Sequence, residues 1–253
     1  MRLHWVSMVV LSFVHSAISP SSFAADYYAD VNMGDDDKTG TSPDAAWKTI
    51  TWALKRVVDT EDNQAILHIA PRRYAPPLEV FPLTPPSYTS LVGNDPTEVV
   101  IDAEGTAQVF TLSPHVFISG LTITGGDTTS GGVSGRIYMH WSDGCRVANC
   151  IIRGNTSTYG GGLLINCGVA IYPYRAFIEL TDCVIYDNYA SRARGEVYVY
   201  EGSKVRATHT TPQAIESRRQ TMRTSRRPLS MTRRGSLWTA RPRRSAGRRS
   251  SMT

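Results

Sequence analysis

The chain is predicted to be all-β, a coil of parallel strands of the β-helix class, and three observations carry that expectation. First, one pattern returns three times within residues 116–199: Val116-Phe117-Ile118-Ser119-Gly120-Leu121-Thr122-Ile123, then Cys145-Arg146-Val147-Ala148-Asn149-Cys150-Ile151-Ile152, then Ile178-Glu179-Leu180-Thr181-Asp182-Cys183-Val184-Ile185. In each copy apolar residues alternate, a turn residue (Gly120, Asn149 or Asp182) interrupts, and alternation resumes, as in strands with one buried face. Second, Ile123, Ile152 and Ile185 set the copies 29 and 33 residues apart, a period that marks stacked repeats. Third, each copy is followed by turn residues, then by glycines (Gly131-Gly132, Gly160-Gly161-Gly162, Gly195), then by another short apolar strand, with no helix between. Several strands per repeat without a helix make one turn of a coil whose equivalent residues stack about 4.8 Å apart.

The run Cys-x-Ile-x-x-Asn, spacer, Gly-Gly-Gly at Cys150 to Gly162, with its echo from Cys183 to Gly195, resembles the repeats of pectate-lyase-like proteins and of polymorphic outer-membrane-type surface proteins. The resemblance covers about two thirds of the chain. It implies a right-handed, single-stranded parallel β-helix with a short N-terminal capping helix. That fold carries lyases, hydrolases, adhesins and inert surface proteins alike, so it implies no single activity.

Residues 1–24 begin with Arg2, continue with an apolar stretch over residues 6–14 and end in Ser22-Phe23-Ala24, the form of a secretory signal with a small-x-small cleavage site. The apolar run is shorter than the roughly 18 residues a membrane span needs, and no later segment is apolar enough to cross a bilayer. The expected location is secreted or on the cell surface.

Residues 25–63 read as a cap segment. Ile50, Ala53, Leu54 and Val57 fall at helical spacing after Trp47 and predict a short amphipathic helix that covers the first turn of the coil. Such a cover removes an open end that would otherwise recruit another chain. Asp30, Asn32, Asp35, Asp36 and Asp37 supply oxygen ligands that suit calcium, but Met33 and Gly34 break the spacing of an EF-hand loop, and a solvated acidic turn fits the same residues.

Residues 64–211 are the predicted coil. Residues 65–70 read as its first strand, and Pro71, Pro76, Pro77, Pro82, Pro85 and Pro86 then punctuate an irregular turn, since sheet interiors do not tolerate such density. Regular strands follow at Leu91-Val92-Gly93, Val99-Val100-Ile101-Asp102 and Val109-Phe110-Thr111-Leu112. Cys145 aligns with Val116, and Cys150 and Cys183 align with Leu121, all core positions. Cys150 and Cys183, as stacked neighbours in an exported protein, either bridge or serve as small buried apolar residues. Cys167 has no assignment.

A fourth copy starts at Val205 and places Pro212 where Ile185 stands in the third, and proline has no place in a central strand. The composition changes there too. Residues 212–253 hold 12 arginines, no lysine and one acid, Glu216, for a charge of +11, and the 15 basic and 21 acidic residues before them amount to −6. A stretch with this composition and no apolar periodicity is expected to be disordered, and its abrupt onset in mid-strand reads as a change of reading frame. Nucleic acid is not an expected partner of an exported chain.

Catalytic motifs of comparable folds are missing. A glycosidase needs paired carboxylates and a lyase needs calcium-binding acids with a base. The Asn-Thr-Asp, Gly-His-Gly and Arg-Ile-Lys set does not occur, Asp-Asp occurs only in the N-terminal turn, and His140-Trp141-Ser142-Asp143 has the lyase residues in the wrong order. Arg153, Asp182, Asp187, Arg192 and Arg194 can line an outer face or serve as solvated turns, and His115 and His209 lack a second ligand at metal spacing. The sequence therefore favours a noncatalytic scaffold that binds polysaccharide or another surface protein. The alternatives are a pectate-lyase-like lyase or hydrolase and a truncated, inactive product. Tyr172, Tyr174 and Arg175, in the long connection over residues 167–175, pair rigid rings with a cation, while Tyr198 and Tyr200 are opposite in phase to Val197 and Val199. These five are the candidate binding residues. If the signal reading is right, N-terminal sequencing of the exported protein starts at or next to Ala25; a membrane-bound product that retains Met1 overturns it.

Overall fold

The computed structural model describes residues 24–57, 64–127, 133–136, 144–158, 160–166, 177–191, 197–199, 204–212, 230–234 and 237–241. It is predominantly β. Sheet A has nine strands, in the order Ala25–Ala29, Ala65–Ile69, Thr89–Gly93, Phe117–Ser119, Cys145–Ala148, Phe177–Thr181, Lys204–Thr208, Leu237–Arg241 and Ser230–Arg234. Sheet B stacks Arg73–Tyr74, Val100–Asp102, Thr122–Thr124, Ile151–Arg153, Val184–Tyr186 and Thr211–Pro212, and sheet C stacks Phe110–Thr111, Val133–Arg136, Leu163–Asn166 and Val197–Val199. Every pairing in these sheets is parallel except those of the last two strands of sheet A. The chain passes from sheet A to B to C and back to A, so each repeat contributes one layer.

The three sequence copies fall into register as their alignment predicts. Val147 pairs with Ile118 and Leu180, and Ile152 pairs with Ile123 and Ile185. The inward residue of every pair is buried, as are Leu67, Leu91, Ile101, Leu163 and Ile165, and each such side chain contributes on the order of 1.5–3 kcal/mol. The interrupting residue of each copy is where the chain leaves sheet A for sheet B, and all adopt the left-handed conformation: Gly120 at φ 71°, Asn149 at 47°, Asp182 at 52° and His209 at 48°. Asparagine and aspartate tolerate that region better than other side chains. Gly120 has a second reason to lack a side chain, because a Cβ there would collide with the backbone of Gly93 in the layer beneath.

The next bend carries a buried amide ladder. Asn155 Nδ2 donates to Ile123 O (3.2 Å) and Arg153 O (3.1 Å), while Asn188 Nδ2 donates to Ile152 O (2.9 Å) and Tyr186 O (3.0 Å). In the other direction Gly126 N–H donates to Asn155 Oδ1 (2.8 Å) and Asn155 N–H to Asn188 Oδ1 (3.1 Å). Three layers are thus joined by two asparagines.

Three details differ from the sequence reading. The first strand of sheet A is Ala25–Ala29, in register with Ala65–Ile69, because Ala25, Tyr27 and Ala29 share one phase. Its outer edge is closed by a loop rather than by the helix: Tyr28 N–H donates to Gly40 O, Trp47 N–H to Tyr28 O and Asp30 N–H to Trp47 O, at 2.8–2.9 Å. The helix itself, Ile50–Ala53, is a single turn, yet Ile50, Ala53, Leu54 and Val57 are all buried as their spacing predicts. Third, the tail expected to be disordered contains the paired strands Ser230–Arg234 and Leu237–Arg241. Ser-Met-Thr and Leu-Trp-Thr-Ala alternate well enough to pair on an exposed strand edge, a tertiary effect that composition alone does not reveal. Pro212 stands opposite Ile185 as the alignment predicts, in the last strand of sheet B, an edge position that spares it a donor role.

The cap is latched by two carboxylates. Asp36 Oδ1 accepts from Lys48 N–H (2.8 Å) and Thr49 N–H (3.0 Å), and buried Glu79 accepts from Ile50 N–H and Thr51 N–H (both 2.8 Å) as well as from the Thr51 hydroxyl (2.5 Å). Four consecutive amides at the helix start are thereby satisfied. Burial, aided by the nearby Asp36 charge, raises the Glu79 pKa above the usual glutamate range against the lowering effect of these hydrogen bonds. A raised value means that the folded state favours the protonated carboxyl. The group's contribution to stability is therefore full below the ordinary glutamate pKa and falls as pH rises through the raised one. Melting curves of the protein and of Glu79→Gln from pH 4 upward check this: the wild-type melting temperature should drop relative to the variant as pH rises, and a relative gain would mean that the hydrogen bonds outweigh burial.

Candidate binding edge

Residues 137–143, 167–176 and 200–203, which link sheet C to sheet A, lie outside the described residues; the sheet A strands that follow them begin level with one another along one edge. The register fixes this: Cys145 pairs with Ile178, which puts Gly144 level with Phe177, and Phe177 pairs with Lys204. Along the same edge in earlier layers stand Tyr88 and His115, both left-handed (φ 63° and 58°), with rings stacked at 4.7 Å and 8° between planes. Gly144 continues the column at φ 78°, and a Cβ there would come within 2.6 Å of His115 Nδ1. The glycine therefore makes room for the imidazole.

Next to this column runs an outward row formed by Phe117, Arg146, Glu179 and Arg206, each in register with the next. The Arg146 guanidinium lies 5.4 Å from the Phe117 ring centre and that of Arg206 lies 5.7 Å from Phe177, within cation–π range. Arg206 Nη1 also meets Glu179 Oε1 at 2.8 Å. Both arginines are exposed, so the pairing stiffens them more than it stabilises the fold. The face thus presents Arg146, Arg206 and Lys204 against one carboxylate, with aromatic rings beneath the guanidiniums.

Of the five residues expected from sequence, Tyr172, Tyr174, Arg175 and Tyr200 lie outside the described residues. The connections that hold them lead directly into Phe177 and Lys204, beside the face just described. Tyr198 lies in the Val197–Val199 strand opposite Leu164. Val197 packs against the core as its phase predicts, and Leu164, the partner of Tyr198 in the adjacent layer, is buried. Arg153 ends a strand of sheet B opposite Tyr186, so it stands beside Asp187 in the next layer, whereas Asp182 occupies the bend from sheet A to sheet B. Arg192 and Arg194 lie outside the described residues. His209 sits 3.2 Å from Asp182 in an exposed pair.

Arg146, Arg206, Phe117, Phe177 and the Tyr88–His115 stack were not singled out from sequence. A signal for the row was present, since Phe117, Arg146, Glu179 and Arg206 occupy the same outward position in the aligned copies.

In the acidic turn two carboxylates bind the turn's own backbone and a third binds the helix start. Asp30 Oδ1 accepts from Asn32 N–H (2.9 Å) and Met33 N–H (3.2 Å), Asp35 Oδ1 accepts from Asp37 N–H (3.0 Å), and Asp36 is held in the latch. Among the described residues no three acidic, histidine or cysteine side chains gather at metal-binding distance.

Cys145, Cys150 and Cys183 are buried thiols, and Cys150 and Cys183 are not bridged. Cys150 Sγ donates to Ala148 O at 3.1 Å and Cys183 Sγ to Thr181 O at 3.3 Å, each within its own bend. Burial pushes both thiols up, with their proximity to each other adding at Cys150, which suppresses the reactive thiolate. No family model, curated protein or solved structure matches the chain.

Peptide mapping after treatment of the native protein with iodoacetamide should find Cys150 and Cys183 unmodified, and both labelled after denaturation. Rapid native labelling of either would mean that the bend opens on the time scale of the reaction.

Proposed function

We propose that this chain is a right-handed parallel β-helix of the pectate-lyase-like kind, with repeats like those of polymorphic outer-membrane-type proteins, which is exported and serves as a noncatalytic secreted or cell-surface scaffold. Its role is to hold three long connections side by side along one edge of sheet A, where they contact a carbohydrate or another protein. The observation that carries this reading is the level start, next to the Phe117–Arg146–Glu179–Arg206 row, of the sheet A strands that follow those connections. Rigid layers set their spacing, and variable loops supply contacts, a division of labour common to scaffolds.

Chemistry also favours binding over turnover. Catalysis on an acidic sugar needs an acid or base poised next to the reacting carbon together with charge stabilisation. The described carboxylate in the row, Glu179, is already paired with Arg206. The stacked guanidinium–ring pairs are suited to hold an anionic or hydroxylated surface without acting on it. Among the described residues no helix is long and apolar enough to cross a membrane.

The reading is tested on the exported protein by assaying pectins and other uronates with and without calcium, following unsaturated products and reducing ends, alongside glycan and surface-protein binding. Binding without turnover, weakened about tenfold or more by Arg146→Ala with Arg206→Ala, is the expected result, since each lost charge-assisted contact costs on the order of 1.5–3 kcal/mol. Turnover that disappears when Arg153 or Asp187 is replaced would establish the lyase or hydrolase alternative instead.

A further inference from the structure

We propose that the hairpin of Ser230–Arg234 and Leu237–Arg241 is an edge guard, which occupies the last strand edge of the stacked part of sheet A and keeps it from pairing with a second copy of this chain. A strand edge in a stack of parallel layers is a ready template: its N–H and C=O groups face outward with the spacing that the next layer would use. Lys204–Thr208 is such an edge, in parallel register with Phe177–Thr181 on one side. On its other side lies Leu237–Arg241, antiparallel, with Lys204 opposite Thr239, Val205 opposite Trp238 and Arg206 opposite Leu237. The reversal of direction interrupts the parallel order that runs through all earlier layers of the sheet.

The hairpin also changes the character of the edge. Ser230–Arg234 becomes the outermost strand and brings Arg233 and Arg234, inside a segment whose net charge is +11. Two copies meeting there oppose like charges at short range, one of the ways in which exposed edges are kept from pairing. The opposite end of sheet A is closed on the same principle, because Gly40 and Trp47 take up the backbone groups of Tyr28 and Asp30. The chain thus supplies its own closure at both ends of its longest sheet.

The test uses the full exported chain, hydrogen exchange and sedimentation. In the wild type the amide of Val205, which alternates away from Phe177–Thr181 and faces the hairpin, should be protected and the mass should be that of a monomer at every concentration. Trp238→Pro with Thr239→Pro disrupts the guarding strand. It should abolish protection at Val205, leave Cys145–Ala148 protected and produce dimers and larger species as concentration rises. A variant that loses protection at Val205 and remains monomeric overturns the proposal, as does a wild type whose Val205 amide exchanges freely. Should the prolines unfold sheet A, seen as lost protection at Cys145–Ala148, Arg233→Thr with Arg234→Thr decides: the strands stay and the edge loses its charge. Concentration-dependent association of that variant supports the guard, and a monomer at all concentrations refutes it.

Discussion

The structure depends on one requirement, that every backbone group at a bend find its partner either in its own layer or in the layer next to it. Strands satisfy each other along sheets A, B and C, but at the bends the ladder is broken, and a buried unpaired group costs about 1–3 kcal/mol. Asn155 and Asn188 meet that requirement with one side chain per layer. Each amide donates to a carbonyl in its own bend and to one in the layer before, and accepts from the ladder residue beneath it. Only a side chain with both functions on a short stem can do this without displacing the core. The glycines, cysteines and left-handed residues around it follow from the same constraint, since the chain must turn sharply while the layers stay about 4.8 Å apart.

That dependence explains where the pattern stops. Counting on from the Ile185–Pro212 pair, the ladder position after Asn188 is residue 215, an isoleucine, and the left-handed bend position after Asp187 is residue 214, an alanine. An isoleucine side chain offers no acceptor for the Asn188 N–H, and alanine is not a residue type that favours the left-handed region. Pro212 supplies no donor. Positions 212, 214 and 215 therefore lack the residue types that another layer of this kind uses, and the strands described beyond them run antiparallel.

Much of this was legible in the sequence because the core has two strong signatures. Alternation in Val116–Ile118, Cys145–Val147 and Ile178–Leu180 marked the inward face, and the spacing of Ile123, Ile152 and Ile185 marked the register, both of which the pairings bear out. What stayed hidden involves residues distant in the chain. Ala25–Ala29 belongs to sheet A through Ala65–Ile69, some forty positions on, and its local sequence contains only two tyrosines and three small or acidic residues. Glu79 looks like one more polar residue in a proline-rich stretch, whereas its partners are Ile50 and Thr51. The candidate edge was half legible: the long connections drew attention to Tyr172, Tyr174 and Arg175, but the outward row was passed over, because an outward residue leaves no trace in a hydrophobic pattern.

That last point bears on how such a molecule acquires a function. Inward positions are fixed by packing and bend positions by hydrogen bonding, which leaves the outward position of each copy free to vary. Phe117, Arg146, Glu179 and Arg206 occupy one such position in four successive layers, and they differ in charge, size and aromaticity while the inward residues beside them stay apolar. The neighbouring outward row, Ser119, Ala148, Thr181 and Thr208, holds only small side chains. Arg146 and Arg206 lie over Phe117 and Phe177, away from that row and toward the end of the strands where the connections lead in. That face of cations and rings is built from the positions that the fold does not need.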